Sequence, residues 1–111
     1  MARTAASGAG GFSPGPTVVT KNTGYNVQLS DNGTYFNIDT SGGTFNLVLP
    51  VAPNGFYIRV ADSTGFFSSN PMTLEPATGS VLIEGVAGGK TFRTAWGGWL
   101  VYSDGTSWFV V

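Results

Sequence analysis

The chain contains no histidine and no cysteine, so the side chains able to do chemistry reduce to six carboxylates, five cations and a set of aromatics. Without histidine there is no Ser–His or Cys–His nucleophile pair, and the commonest metal ligand is missing. Without cysteine there is no thiolate or disulfide chemistry. The carboxylates are Asp31, Asp39, Asp62, Glu75, Glu84 and Asp104. Glycoside hydrolysis needs two such groups facing one cleft. Asp31 and Asp104 stand in Asp-Asn-Gly and Asp-Gly turn sequences, which already account for an aspartate, and the others fall at strand ends. A calcium loop needs several oxygen ligands from one segment, and neither Asp31-Asn32 nor Asp62-Ser63-Thr64 has that spacing. Gly85-Val86-Ala87-Gly88-Gly89-Lys90-Thr91 ends like a phosphate-binding loop. Its outer glycines are four apart where that pattern has five, and a strand follows where the pattern needs a helix N-terminus. Catalytic residues, metal ligands and cofactors are all expected to be absent.

The aromatics carry more information. Trp96-Gly97-Gly98-Trp99 sets two indoles around a flexible step, and Trp108 returns in the following strand. Exposed indoles stack on sugar rings, so a carbohydrate-binding module with Trp96 and Trp99 as platforms is one reading. The other is that Trp99, Val101, Trp108 and Val110 form one core face, with Trp96 outside the alternation and exposed. Phe66-Phe67, in a loop of Gly, Ser and Asn, cannot both point inward on a strand. One is expected to plug the end of the domain and the other to contact a neighbour. Phe66, Phe67 and Trp96 are therefore candidate partner contacts.

These residues are positioned by short alternating segments. Tyr25, Val27 and Leu29, then Phe36 and Ile38, then Phe45, Leu47 and Leu49, then Phe56, Ile58 and Val60 alternate with polar neighbours. Candidate strands are Thr17–Lys21, Tyr25–Leu29, Tyr35–Asp39, Phe45–Leu49, Phe56–Ala61, Met72–Glu75, Val81–Glu84, Thr91–Ala95, Trp99–Ser103 and Thr106–Val111. Turn sequences separate them at intervals near ten residues, the pattern of an all-β sandwich or barrel. The last two strands form a hairpin in which Asp104-Gly105 favours a two-residue type I′ turn, pairing Val101 with Trp108 and Trp99 with Val110. Leu100, Tyr102, Phe109 and Val111 make the opposite face apolar as well. A pair apolar on both faces is buried twice over, inside a sandwich or against another chain.

Residues 1–16 (MARTAASGAGGFSPGP) read as a flexible Gly/Ala/Ser-rich N-terminal arm. It is either a frayed terminus or a segment that orders on a neighbouring subunit, with Phe12 as anchor and Arg3 as clasp. Residues 17–111 are expected to form a single antiparallel β-sandwich or barrel-like domain. Only 10% of residues are charged, against about 25% in ordinary soluble proteins. That scarcity suits β-structure facing the outside world or packed into an assembly. A net charge of −1, with the basic residues scattered, gives no field for nucleic acid. No apolar run is long enough for a transmembrane helix, and Gly and Pro interrupt any signal-peptide core, so the chain is expected to begin life in the cytoplasm.

The order of pieces from Tyr25 to Ser30 through Asp31-Asn32-Gly33, Phe45 to Pro50, Asn54 to Asp62, and the closing Ser103-Asp104-Gly105-Thr106-Ser107-Trp108 resembles the small β-domain of tailed-bacteriophage structural proteins. Such domains occur in tail fibres, tail spikes and capsid-decorating chains. The similarity covers residues 24–111 and leaves the arm outside. The resemblance implies a non-enzymatic virion protein made in the host cytoplasm. With no fibre shaft in the sequence, the expectation is a capsid decoration or cement protein whose arm drapes over the major capsid protein and which self-associates, by analogy as a trimer. The alternatives are a tail-associated adaptor or fibre subunit, and the sugar-binding module.

Overall fold

The computed structural model describes residues 15–111, and the expectations placed on Arg3 and Phe12 lie outside them. Ten strands run through the described residues: β1 (Val18–Lys21), β2 (Tyr25–Asn26), β3 (Tyr35–Ile38), β4 (Phe45–Leu49), β5 (Tyr57–Asp62), β6 (Met72–Pro76), β7 (Leu82–Ile83), β8 (Lys90–Phe92), β9 (Gly98–Ser103) and β10 (Ser107–Val110). The only helical piece among these residues is a 3₁₀ turn at Leu29–Asp31. It cuts short the strand expected to reach Leu29. The Asp31 carboxylate accepts from the Gln28 N–H at 2.8 Å and the Tyr25 hydroxyl at 2.7 Å, turning the chain over before the ladder can continue.

The protein is all-β, but it is not the antiparallel sandwich that short alternating segments suggest. The chain alternates between two sheets, strand by strand, from β1 to β6. One sheet has the order β1-β3-β5-β9-β10-β7 and the other β2-β4-β6-β8. Ladders β1–β3, β3–β5, β2–β4 and β4–β6 are all parallel. Each circuit thus lays one strand on each sheet directly over the previous circuit, as in a β-solenoid. Alternation could not distinguish the two arrangements, because a strand with one buried face looks the same whichever way its neighbour runs. After three circuits the direction reverses, with β8 antiparallel to β6 and β9 antiparallel to β5. β10 folds back on β9, and β7 closes the row parallel to β10.

The inner faces of both sheets pool into one core. Phe36, Ile38, Ile58, Val60 and Val101 enter from the six-stranded sheet, and Leu47, Leu49, Met72, Leu74 and Phe92 from the four-stranded one. Trp108 is fully enclosed, edge-on to Phe56 at 5.5 Å, and its indole N–H donates to the Pro50 carbonyl at 3.0 Å. That bond satisfies the one polar atom that burying a tryptophan puts at risk.

The hairpin turn is wider than a two-residue type I′ turn. Ser103 pairs with Trp108, Tyr102 with Phe109 and Val101 with Val110. Gly105 alone takes the left-handed conformation (φ 95°), whereas type I′ needs it at Asp104 too. Asp104 instead uses its side chain, accepting from the Thr106 and Ser107 N–H groups at 2.9 and 2.8 Å. The register moves by two residues, an even shift, so Val101, Trp108 and Val110 still face inward.

The in-register stack is testable by cross-linking, since the chain has no cysteine of its own. Asn46 and Thr73 are parallel partners on adjacent strands. Their expected Cα separation, about 4.8 Å, lies within disulfide range. Asn46→Cys with Thr73→Cys should oxidise readily to an intramolecular disulfide. Asn46→Cys with Thr91→Cys, two strands apart, should stay reduced; thiol titration after mild oxidation distinguishes them.

Candidate functional site

Asp62, the last residue of β5, is buried at 3% exposure. Its Oδ1 accepts from the backbone N–H groups of Thr64, Gly65 and Phe66 at 3.2, 2.9 and 3.3 Å. Its Oδ2 accepts from those of Phe67 at 3.1 Å and Trp96 at 2.9 Å. One carboxylate thus ties the loop after β5 to the turn before β9. Burial pushes the carboxyl up, but the Trp96, Phe67, Thr64 and Gly65 N–H donors outweigh it and hold the group below the usual carboxylate value. The sequence Asp62-Ser63-Thr64-Gly65 is compatible with such a turn, yet nothing in it signals the fifth donor, Trp96, which arrives from 34 residues away.

Around this carboxylate the aromatics separate. Phe67 is fully buried and stacks nearly parallel on Trp99, with ring centroids 6.0 Å apart. Trp99 in turn packs on Phe92 at 4.4 Å. Phe67 is therefore the plug and not a surface contact, and Trp99 is occupied on the core side. Phe66 turns outward at 42% exposure and Trp96 at 69%. Trp96 adopts a left-handed φ of 62°, which costs a non-glycine residue about 1–3 kcal/mol. Its indole lies against Gly65, where an added Cβ would stand 2.5 Å from the ring. Only glycine fits beneath it.

The second notable surface is the outer face of the six-stranded sheet. Strand registers align Val18, Tyr35, Arg59 and Leu100 in one row, and reciprocal backbone bonds between Leu100 and Val111 extend it. The next row is Tyr57, Tyr102 and Phe109. Val18, Tyr35, Tyr57 and Val111 are exposed; Leu100, Tyr102 and Phe109 are half-buried. The Arg59 guanidinium sits 5.6 Å over the Tyr35 ring, and Tyr102 and Phe109 are 5.6 Å apart. The outer face of the four-stranded sheet differs, carrying Asn46, Thr73 and Thr91 in one row and Asn26, Val48 and Glu75 in the next. Tyr35, Tyr57 and Arg59 had no mark in the sequence, because they occupy the polar phase of their strands. Only the register that stacks them beside Leu100, Tyr102 and Phe109 makes a surface of them.

The remaining candidates are local. Asp39 accepts from the Ser41 hydroxyl and N–H, in that order of weight, and is held below its ordinary value. Lys90 of the glycine-rich stretch is paired with Glu84 at 2.9 Å, and the stretch runs into β8. A cleft of about 260 Å³ at the hairpin end is lined by Pro50, Val51, Ala52, Ser103, Thr106 and Trp108 among others, without a carboxylate. Among the described residues no group of three or more acidic residues is placed to hold a metal, and no helix is long and apolar enough to cross a membrane. No protein-family model matches the chain, and no curated protein matches its sequence.

Asp62→Asn should remove about 3 kcal/mol of stability at pH 7, because an amide cannot accept from all the N–H groups it would face. Since folding lowers the pKa, the ionised contribution is complete above the unfolded value of about 3.9 and is lost as pH falls through the lower folded value. The gap between wild type and variant should therefore narrow in strong acid. Urea unfolding at neutral pH and below pH 3 checks both statements.

Proposed function

We propose that this chain is a non-enzymatic structural protein of a bacteriophage virion, a decoration or cement protein that docks on the major capsid protein and associates with copies of itself. The observation that carries the reading is the contrast between the two outer faces. A sheet face bearing three tyrosines, Phe109, Leu100 and a single arginine has the composition of a protein-contact core, where aromatics and Arg are enriched and Lys and Glu depleted. The polar opposite face suits solvent. In addition, Asp31, Asp39, Asp62 and Asp104 all spend their oxygens on neighbouring N–H or O–H groups, as structural aspartates do. The resemblance of the ordered motifs from Tyr25 to Trp108 to the small β-domains of tailed-phage structural proteins supports a virion setting. Repetition over a symmetric shell would let modest individual contacts sum to tight attachment.

The test uses purified particles of the phage that encodes the chain. The protein should co-purify through a density gradient and be immunolabelled on the head. Label confined to the tail would replace decoration by an adaptor or fibre role, and absence from particles would overturn the virion reading. Tyr57→Ser with Phe109→Ser should leave the fold intact, both side chains lying outside the core, while weakening rebinding to particles by about 2 kcal/mol or more, roughly thirtyfold.

A further inference from the structure

The apolar part of the outer face of the six-stranded sheet is confined to two rows. They are the row of Val18, Tyr35 and Leu100 and the row of Tyr57, Tyr102 and Phe109. One step further along the strands lie Thr20, Asn37, Ala61 and Gly98, with no large apolar group. Each row takes about 6.7 Å of strand and neighbouring strands stand about 4.8 Å apart, so across β1, β3, β5, β9 and β10 the strip is about 13 Å wide and 19 Å long. One extended segment of about six residues has that length.

The chain enters at the end of the strip. Carried two residues back from Val18 and Tyr35, the parallel register sets Pro16 and Gly33 in the row of Tyr57. The Gly33 N–H donates to the Tyr57 carbonyl at 2.7 Å, and the Tyr57 phenol leans over Gly33 toward β1, its oxygen 3.6 Å from where a Cβ would stand. Pro16 is exposed at the edge of this row, and residues 1–14 lead into it through Gly15.

The sequence of those residues fits the strip. Ser13 and Gly15 each precede a proline, which biases both toward extended backbone. Phe12, the one aromatic among residues 1–14, stands four residues before Pro16. Four extended residues reach about 13 Å, and the three strand spacings from β1 to β9 amount to about 14 Å. Phe12 is thereby brought to Tyr102 and Phe109, whose ring centroids are 5.6 Å apart. Residues 4–16 carry no charge, so no ionised group loses its hydration by lying on apolar surface. We infer that residues 10–14 lie across this strip of their own chain, with Phe12 seated against Tyr102 and Phe109. The contact itself does not depend on the virion reading. Its consequence does rest on that reading: a partner docking on the face must first displace the segment, which acts as a removable cover.

The test uses the full chain with Gly11→Cys carrying a nitroxide spin label, since the chain has no cysteine of its own. In ¹⁵N-labelled protein the amide signals of Tyr102 and Phe109 should lose most of their intensity, while those of Thr73 and Thr91 on the opposite sheet keep theirs. Phe12→Ser in the same spin-labelled chain should restore Tyr102 and Phe109 and leave the signals of the core in place. Spin-labelled chains without ¹⁵N, mixed with ¹⁵N chains that carry no spin label, should broaden nothing. Undiminished Tyr102 and Phe109 signals would overturn the inference, as would a loss that Phe12→Ser leaves unchanged. Loss confined to the mixed sample would give the strip to the segment of a second copy and overturn the assignment to the same chain. Absence of the protein from phage particles would leave these results untouched, so the two readings fail separately.

Discussion

A carboxylate taken out of water is tolerated only when its lone pairs are answered, and at Asp62 they are answered entirely by backbone. Because the donors come from two separate segments, the group works as a joint. It ends a central strand of the six-stranded sheet, reverses the chain toward β6, and captures the turn that starts β9. The same bonds set Phe67 into the interior against Trp99 and leave Phe66 and Trp96 outside. Core completion at this end and the exposed aromatics are consequences of one ionised side chain.

The parallel stack imposes a second constraint. In a chain that lays each circuit on the last, residues far apart in sequence fall into rows, and a row is uniform or mixed along its whole length. The inner rows are apolar on both sheets, as a shared core requires. The outer rows are free to differ, and they do: two rows rich in aromatics on one sheet, and Asn, Thr, Glu75 and a single Val48 on the other. Low charge content then has a structural meaning. The polar face is covered by Asn and Thr, with hydroxyls bonded to each other across strands, as Thr73 and Thr91 are at 2.9 Å, so few charges are needed there.

Ten strands and the inward phase of nearly all of them were legible from alternation and turn residues, because those signals are local. The circuit was not. Successive rungs on the six-stranded sheet are 17 residues apart from Val18 to Tyr35 and 24 from Tyr35 to Arg59. On the other sheet they are 22 from Tyr25 to Leu47 and 27 from Leu47 to Leu74. With no fixed period, no repeat could be seen. The candidate contacts divided for a similar reason. Trp96 could be placed outside because it broke the alternation, whereas choosing between Phe66 and Phe67 required knowing which N–H groups Asp62 would take.

The edges of the two sheets bear on how such a domain associates. Among the described residues, β2 and β7 span two residues each and β8 three, leaving β1 as the longest edge at four. Short edges offer little template for a strand from another chain. At the first of them Lys21 lies 3.8 Å over the Tyr25 ring, placing a charge where a further circuit would stack. Among the described residues, such short edges with a charge beside one of them disfavour growth end to end. Under the proposed role, contacts with other chains would fall on the broad faces, of which the one carrying Tyr35, Tyr57, Tyr102 and Phe109 is the more apolar, the other carrying Val48 among polar residues.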